Sequence, residues 1–434
     1  MTDEKNENEI SERMAKKAVL ASMSGTILEW YGVYIFTVGS LYLAYNFFPK
    51  ISTVASVTAV LLVFAVGFFM RPLGAVVFSH YGDKIGRKKM LLISLLFSGL
   101  GTGFIGLVPS YVQIGIWAII LVTILRLLAG FGLGGEWGGA MLMTLENVKE
   151  KRGFWGSFIQ STPAIGLILA SVAFLILATI YPSSVMYSWG WRIPFLLSFI
   201  VLVVGLYLRA RIPETIIFEA VKKEKKIVKV PLIELFRDKN NVLNVIYGIL
   251  IVGSSSSIFY TGSVLVPALY EITKVVSVHY ATLGALLFGA VNTVTVFFGG
   301  ILSDKFGRRP MLIAQSVSFL AIIYFAIIYK TPASFLAFLG LLSFAHGLGY
   351  TAEGVIVTEL FPANLRYTGN SFTYQFGNAY IGGVAPYASL ALGSISYFLY
   401  PLFGVIFAVT AIPVALIVKE TNKISLGIEA GIKE

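Results

Sequence analysis

The chain has no cysteine and only three histidines in 434 residues. Disulfides, thiol nucleophiles and cysteine-based metal sites are excluded, and His80, His279 and His346 are too scattered to form a metal site. Charge is also scarce: Asp, Glu, Lys and Arg make up 13% of residues, against 57% hydrophobic. A soluble protein of this size cannot hide so much apolar surface. The chain lacks a G-x-x-x-x-G-K-[ST] phosphate loop, so ATP-driven work would need a separate subunit. It also lacks a convergent nucleophile–base set, which argues against an enzyme, and no cofactor is expected. The stretch before Ala18 is polar and charged and has no signal-peptide pattern, so the first helix is expected to remain as an anchor.

What remains is a series of long apolar runs. A spanning helix needs about 20 mainly apolar residues. Runs of that kind fall at 18–46, 53–79, 89–109, 113–143, 154–182, 190–210, 241–270, 278–302, 310–329, 333–359, 368–398 and 400–418. They are continuous, whereas a barrel would show alternating segments of roughly ten residues. The expectation is an all-α membrane protein with twelve transmembrane helices. The net charge of +11 reads as topology rather than as nucleic-acid affinity. Of the 33 Lys and Arg, only Lys50, Arg192, Lys274 and Lys330 fall on one side and Arg71 and Arg126 within the membrane. The rest share the other side, which the positive-inside rule makes cytoplasmic, with both termini, in a plasma membrane. Lys222, Lys223, Lys225, Lys226 and Lys229 in the central loop are expected to attract anionic lipid.

The chain repeats itself. Asp83-Lys84-Ile85-Gly86-Arg87 returns as Asp304-Lys305-Phe306-Gly307-Arg308, each between two apolar runs. Glu146 followed by Arg152, Gly156, Ser157 and Gln160 resembles Glu359 followed by Arg366, Gly369, Ser371 and Gln375. Two pseudo-symmetric six-helix bundles are expected, at 1–212 and 241–434, joined by a cytoplasmic linker at 213–240. Internal repeats of this kind mark secondary transporters, with the substrate between them.

Several strings carry a specific resemblance: Glu29-Trp30-Tyr31, Arg71-Pro72-Leu73-Gly74, Gly82 to Lys89, Gly134-Gly135-Glu136-Trp137-Gly138-Gly139, Trp189 to Phe195, Glu359-Leu360-Phe361-Pro362 and Arg366-Tyr367-Thr368-Gly369. Together they resemble the metabolite:proton symporter family of the major facilitator superfamily, relatives of shikimate, α-ketoglutarate, citrate and proline/betaine carriers. Three positions depart from the family: Gly32 where an Asp is usual, Ser79 where a Gly is usual, and Glu353 where a neutral residue is usual. The resemblance implies the major facilitator fold and proton-coupled transport.

Buried charge is the second signal. An ionised residue in hydrocarbon costs about 2.5–3.5 kcal/mol on insertion scales, yet Glu29, Arg71, Arg126, Glu136 and Glu353 all fall inside apolar runs. Glu29, Arg126, Glu136 and Glu353 are the proton-coupling candidates, with Glu29 the first choice for the carboxylate beside Arg126, Glu136 the second and Glu353 the third. A carboxylate beside a guanidinium is stabilised ionised, and one buried alone is protonated. By depth, Glu29 and Arg126 both lie near the midplane, and Arg71 and Glu136 lie level with each other and are expected to pair. Arg126, Gly130, Gly134 and Gly138 recur every four residues, a face that lets a neighbouring helix approach closely.

At the cytoplasmic ends, Asp83, Arg87, Glu146, Arg152, Asp304, Arg308, Glu359 and Arg366 are gating candidates. Asp304 is expected to face the start of the fifth helix after Arg152, and Asp83 the start of the eleventh after Arg366. Arg87 and Arg308 are expected to hold Glu146 and Glu359. Tyr31, Tyr34, Arg71, Gln160, Tyr260, Asn292, Tyr374, Gln375 and Asn378 are substrate-binding candidates near the midplane. Two arginines there favour a carboxylate, which Arg grips in a fork. The expected protein is a monomeric symporter that imports a small organic acid or zwitterion with protons by alternating access. A sugar-type uniporter and a solute sensor of the same fold are the rivals.

Overall fold

The computed structural model describes residues 2–48, 53–148, 150–211, 230–424 and 426. Twelve helical stretches run through it. In the first half these are α1 (Thr2–Val38, continued by Ser40–Phe47), α2 (Thr53–Ile85), α3 (Arg87–Ile105), α4 (Ile116–Gly134, continued by Glu136–Leu145), α5 (Arg152–Gln160 and Thr162–Ile180) and α6 (Arg192–Ala210). In the second they are α7 (Lys239–Tyr260, a π-helical turn Thr261–Leu265, then Val266–Ile272), α8 (Val278–Phe306), α9 (Arg308–Ile328), α10 (Pro332–Glu359), α11 (Arg366–Phe376, a π-helical turn Gly377–Gly382, then Ala385–Ile395) and α12 (Leu402–Ile417). A short helix, Pro231–Arg237, precedes α7. The basic lysines 222–229 of the linker lie outside the described residues.

Among the described residues, eleven stretches are long and apolar enough to cross a bilayer, counting α1 as one span bent by 61° at Gly39. The exception is α11. Its first half reads Arg366-Tyr-Thr-Gly-Asn-Ser-Phe-Thr-Tyr-Gln-Phe and is buried almost throughout. Irregular backbone at membrane depth is tolerated where it is buried in protein or lines a cavity. Of the two π-helical turns in the second half, the one in α7 follows Tyr260 and the one in α11 contains Asn378. Such turns recur at functional sites.

The duplicated signature has one structural cause. Gly86 (φ +113°) and Gly307 (φ +105°) are left-handed residues between α2 and α3 and between α8 and α9. Only glycine adopts that backbone cheaply, so each pair of helices is joined by a single residue rather than a loop. The glycine face of α4 is equally direct. Gly130 lies against the backbone of Gly67, Gly134 against that of Arg71, and Gly138 against Ser371 of α11, so a Cβ at any of the three would collide.

Candidate functional site

The centre of the molecule is organised by α2. Phe64, Phe68 and Arg71 are spaced four and three apart and share one face of the helix. The Phe64 and Phe68 rings lie 4.8 Å apart, and Phe68 meets Tyr260 of α7 edge-on at 5.6 Å. A guanidinium sits over each end of this row: Arg126 lies 5.3 Å from Phe64, and Arg71 lies 4.8 Å from Phe68.

Arg71 crosses between the halves. Its Nε donates to Gln375 Oε1 at 2.9 Å and its Nη1 to Asn378 Oδ1 at 3.3 Å, both on α11. Gln375 Nε2 reaches back to the carbonyls of Leu133 and Gly134 on α4, at 3.2 and 3.3 Å. Asn378 Nδ2 donates to Ser256 Oγ on α7 at 3.1 Å. These contacts join α2, α4, α7 and α11 beside a small cavity whose walls include Trp30 and Tyr34 of α1, Ser256 and Tyr260 of α7, Tyr350 of α10 and Asn378 of α11. Tyr34 stacks on Trp30 at 5.7 Å, and its hydroxyl has no hydrogen-bond partner.

Arg126 is different. It is 1% exposed, and its Nε and Nη1 have no hydrogen-bond partner among the described residues. Phe36 at 4.5 Å and Phe64 are its cushions. Ring faces return about 0.5–2 kcal/mol each, but they satisfy no N–H donor in the ordinary sense. Each buried unsatisfied donor costs about 1–3 kcal/mol. The expected proximity of Glu29 to Arg126 is not found. Phe36 lies seven residues beyond Glu29 on α1, two turns or about 10 Å further along the axis. Glu29 instead lines a separate cavity with Ser98 and Thr102 of α3 and Ser198 of α6, and one of its carboxyl oxygens has no partner.

The expected Arg71–Glu136 pair is also corrected. Glu136 forms an ion pair with Arg209 of α6 and accepts from Thr26 Oγ1 at 3.1 Å. The reason is rotational. Gly134 packs on the Arg71 backbone, and two residues further along a helix is a turn of about 200°. Glu136 therefore faces α1 and α6, away from α2. Arg209, the last-turn arginine of α6, was missed. Its only signal was that a buried Glu136 needs a cation.

Other substrate-binding candidates are engaged elsewhere. The Tyr31 hydroxyl donates to the Pro194 carbonyl at 2.9 Å, inside the first half. Asn292 Nδ2 serves the Ser343 carbonyl (3.1 Å) and His346 Nδ1 (2.9 Å), between α8 and α10. Gln160 accepts from Trp137 Nε1 at 2.9 Å within the first half and donates to the Tyr350 carbonyl of the second at 2.7 Å, so one end of its amide ties the halves together. Tyr374 stacks on Trp137 at 3.5 Å. Glu353 is fully buried on α10. Ser256 and Tyr350 were not singled out, and Trp30 and Trp137 were read only as parts of longer strings, because aromatic and serine side chains in apolar helices carry no pattern distinguishing a cavity wall from packing.

The face that carries the duplicated signature is closed. Asp304 accepts from the backbone N–H groups of Gly153 and Phe154 at the start of α5, both at 2.8 Å. Arg152 lies 2.9 Å from Glu359, which also receives Arg308 at 3.6 Å and the Thr421 hydroxyl. Arg366 meets Glu146 at 3.5 Å. The side chains of Asp83 and Arg87 lie outside those described. Behind α9, the half-buried Glu420 accepts from the N–H groups of Arg308, Arg309, Thr421 and Asn422. Burial pushes its carboxyl up, but those four donors outweigh it and hold the group below the usual carboxylate range. Among the described residues, no group of three or more acidic or histidine side chains could hold a metal.

A family model described as "Sugar (and other) transporter" matches residues 17–229 and 216–430. The inner membrane metabolite transport protein YhjE of Escherichia coli K12 is 35% identical over 409 residues, covering 89% of this chain and 91% of that protein. A citrate-proton symporter of Klebsiella pneumoniae is 35% identical over 381 residues, covering 86% and 85%. The solved structure of the proton:xylose symporter XylE bound to 6-bromo-6-deoxy-D-glucose superposes with a TM-score of 0.79 at 18% identity, covering 97% of this chain and 99% of that one. That likeness is one of fold.

Proposed function

The chain belongs to the sugar (and other) transporter family of the major facilitator superfamily, and from that premise we propose that it is a proton-coupled symporter that imports a small organic anion. It is a membrane transporter with two six-helix halves. The anion, the proton and the direction are the proposal.

One observation carries it: Arg126 is a buried guanidinium with two unpartnered nitrogens and only aromatic rings over it. A carboxylate satisfies two such donors in one fork. Arg71 stands at the other end of the same aromatic row and contributes a second positive charge. A zwitterion with a carboxylate meets the same requirement. A neutral sugar leaves the charge uncompensated. The citrate-proton symporter relative supports an acid as cargo.

The contacts at one end of the molecule support alternating access. The Asp304, Arg152–Glu359 and Arg366–Glu146 contacts join the halves on the signature face, and they must break for that face to open. We place this face and both termini in the cytoplasm of a bacterial inner membrane, on the strength of the lysine and arginine distribution and the YhjE relative. The working unit is a monomer.

Proteoliposomes test this directly. Radiolabelled mono-, di- and tricarboxylates, betaine, proline and xylose are offered with and without an inward proton gradient. The expected result is carboxylate accumulation that requires the gradient. Uptake indifferent to the gradient overturns symport, and xylose uptake with no carboxylate uptake overturns the anion.

A further inference from the structure

Glu353 sits in α10 with no exposed surface, and neither carboxyl oxygen has a hydrogen-bond partner among the described residues. The groups around it come from three helices. Tyr350 is on its own helix, Tyr374 comes from α11, and Ser255 comes from α7. The Ser255 hydroxyl lies beside the carboxyl but short of hydrogen-bond geometry, and it accepts from Gln315 of α9 at 2.8 Å. Asn292 of α8 is spent on His346, two turns away along α10. No Arg, Lys or His forms an ion pair with Glu353 among the described residues.

The other three buried acids of the bundle are placed differently, and Glu359 of the same helix is committed to Arg152 and Arg308. Glu136 is committed to Arg209. Glu29 lies in a cavity enclosed by α1, α3 and α6 of one half. The Tyr350 and Tyr374 hydroxyls near Glu353 are in turn linked to the central cavity. The hydroxyls of Tyr350 and Tyr374 are 3.3 Å apart, Asn378 Nδ2 is 3.5 Å from the Tyr374 hydroxyl, and Asn378 Oδ1 accepts from Arg71. Tyr350 and Asn378 both line the cavity.

An ionised carboxylate in such a place costs several kcal/mol unless a cation pairs with it. The group is therefore stable in two ways: with its proton, or with a guanidinium drawn toward it. We propose that Glu353 carries the co-transported proton, and that the Tyr374–Asn378 link makes its charge compete with the substrate for Arg71. On loading, a hydronium ion breaks one O–H bond, gives that proton to a Glu353 oxygen and leaves as water, and the neutral carboxyl leaves Arg71 to the incoming carboxylate. On release the Glu353 O–H bond breaks, the proton passes to water, and the restored carboxylate draws Arg71 away from the cargo. The step transfers only a proton.

This inference rests on the symport reading, and the experiment separates the two. Citrate, 2-oxoglutarate and proline uptake are compared for wild type and Glu353→Gln in proteoliposomes. With one pH unit inward, wild type accumulates about tenfold per proton. Glu353→Gln is expected to equilibrate near onefold while still exchanging labelled for unlabelled cargo, which also shows that it folds. Gradient-driven accumulation by both overturns this inference and leaves symport standing. Gradient-indifferent uptake by wild type overturns both. A second readout needs no substrate: pH-difference infrared spectra of the reconstituted protein are expected to show a protonated-carboxyl band that Glu353→Gln removes. Persistence of every such band in the variant overturns the assignment.

Discussion

Arg152 of α5 and Glu359 of α10 meet at 2.9 Å across the seam between the two halves, and Arg308 reaches the same carboxylate from α9. One acid thus holds a cation from its own half and one from the opposite half. Beside it, Asp304 caps the first turn of α5, where the unpaired N–H groups and the helix dipole favour a negative charge. Charge, cap and ion pair converge where the halves must part.

Removing that cap is expected to open the signature face. Asp304→Asn exchanges charge-assisted bonds for weaker neutral ones, and bonds to charged groups are worth about 1.5–3 kcal/mol. The predicted shift toward the state open on this face is therefore about tenfold or more. The natural absence of cysteine makes the measurement clean. A single Ser256→Cys in the cavity wall should react faster with an impermeant thiol reagent applied from that face when Asp304→Asn is present. Equal rates would remove Asp304 from the gate.

Arg126 should separate stability from function. Arg126→Met removes an uncompensated buried cation and keeps a chain that packs against Phe36 and Phe64. Replacing buried charge by apolar side chains of similar volume is often neutral or stabilising by about 1–4 kcal/mol. The variant is expected to melt no lower than wild type in detergent while losing carboxylate uptake. A large fall in melting temperature would mean that Arg126 is structural.

Glu136 and Arg209 should behave in the opposite way. Breaking a buried pair by removing one partner costs about 3–5 kcal/mol. Glu136→Leu is expected to destabilise the protein by that amount, and Arg209→Met to recover most of it in the double variant. A double-mutant cycle on thermal unfolding measures the coupling. An additive cycle would contradict the pair, and a coupling of Glu136 to Arg71 would restore the partner expected from depth alone.

Glu420 gives a pH signature. Its carboxyl is held below the usual range by backbone donors at the start of α9 and after α12. A depressed carboxyl contributes stability that is complete above its unfolded value and is lost as pH falls through the folded one. Glu420→Gln should therefore lower the melting temperature at neutral pH, and the difference from wild type should vanish in acid below that folded value. A difference that persists unchanged in acid would assign the effect to packing.

Much of the architecture was legible from sequence because it follows from one-dimensional quantities. Apolar run length decides what can cross a bilayer, and the Asp-Lys-x-Gly-Arg repeat marked the two single-glycine joints at Gly86 and Gly307. The helix-start partner of Asp304 was legible too, since a duplicated acid at a helix end has few donors to meet. The broken eleventh span was not, because a run such as Ala379 to Leu392 is apolar enough to mask the polar half before it.

Sequence alone determined how deep each charge lies, since depth accumulates at 1.5 Å per residue along a helix. Only the tertiary structure decided which way each charge points and what it meets. A helix turns 100° per residue, so a glycine packed at 134 aims residue 136 at a different neighbour. That choice gave Glu136 to Arg209, sent Arg71 across to Gln375 and Asn378, and left Nε and Nη1 of Arg126 and both carboxyl oxygens of Glu353 without hydrogen bonds among the described residues.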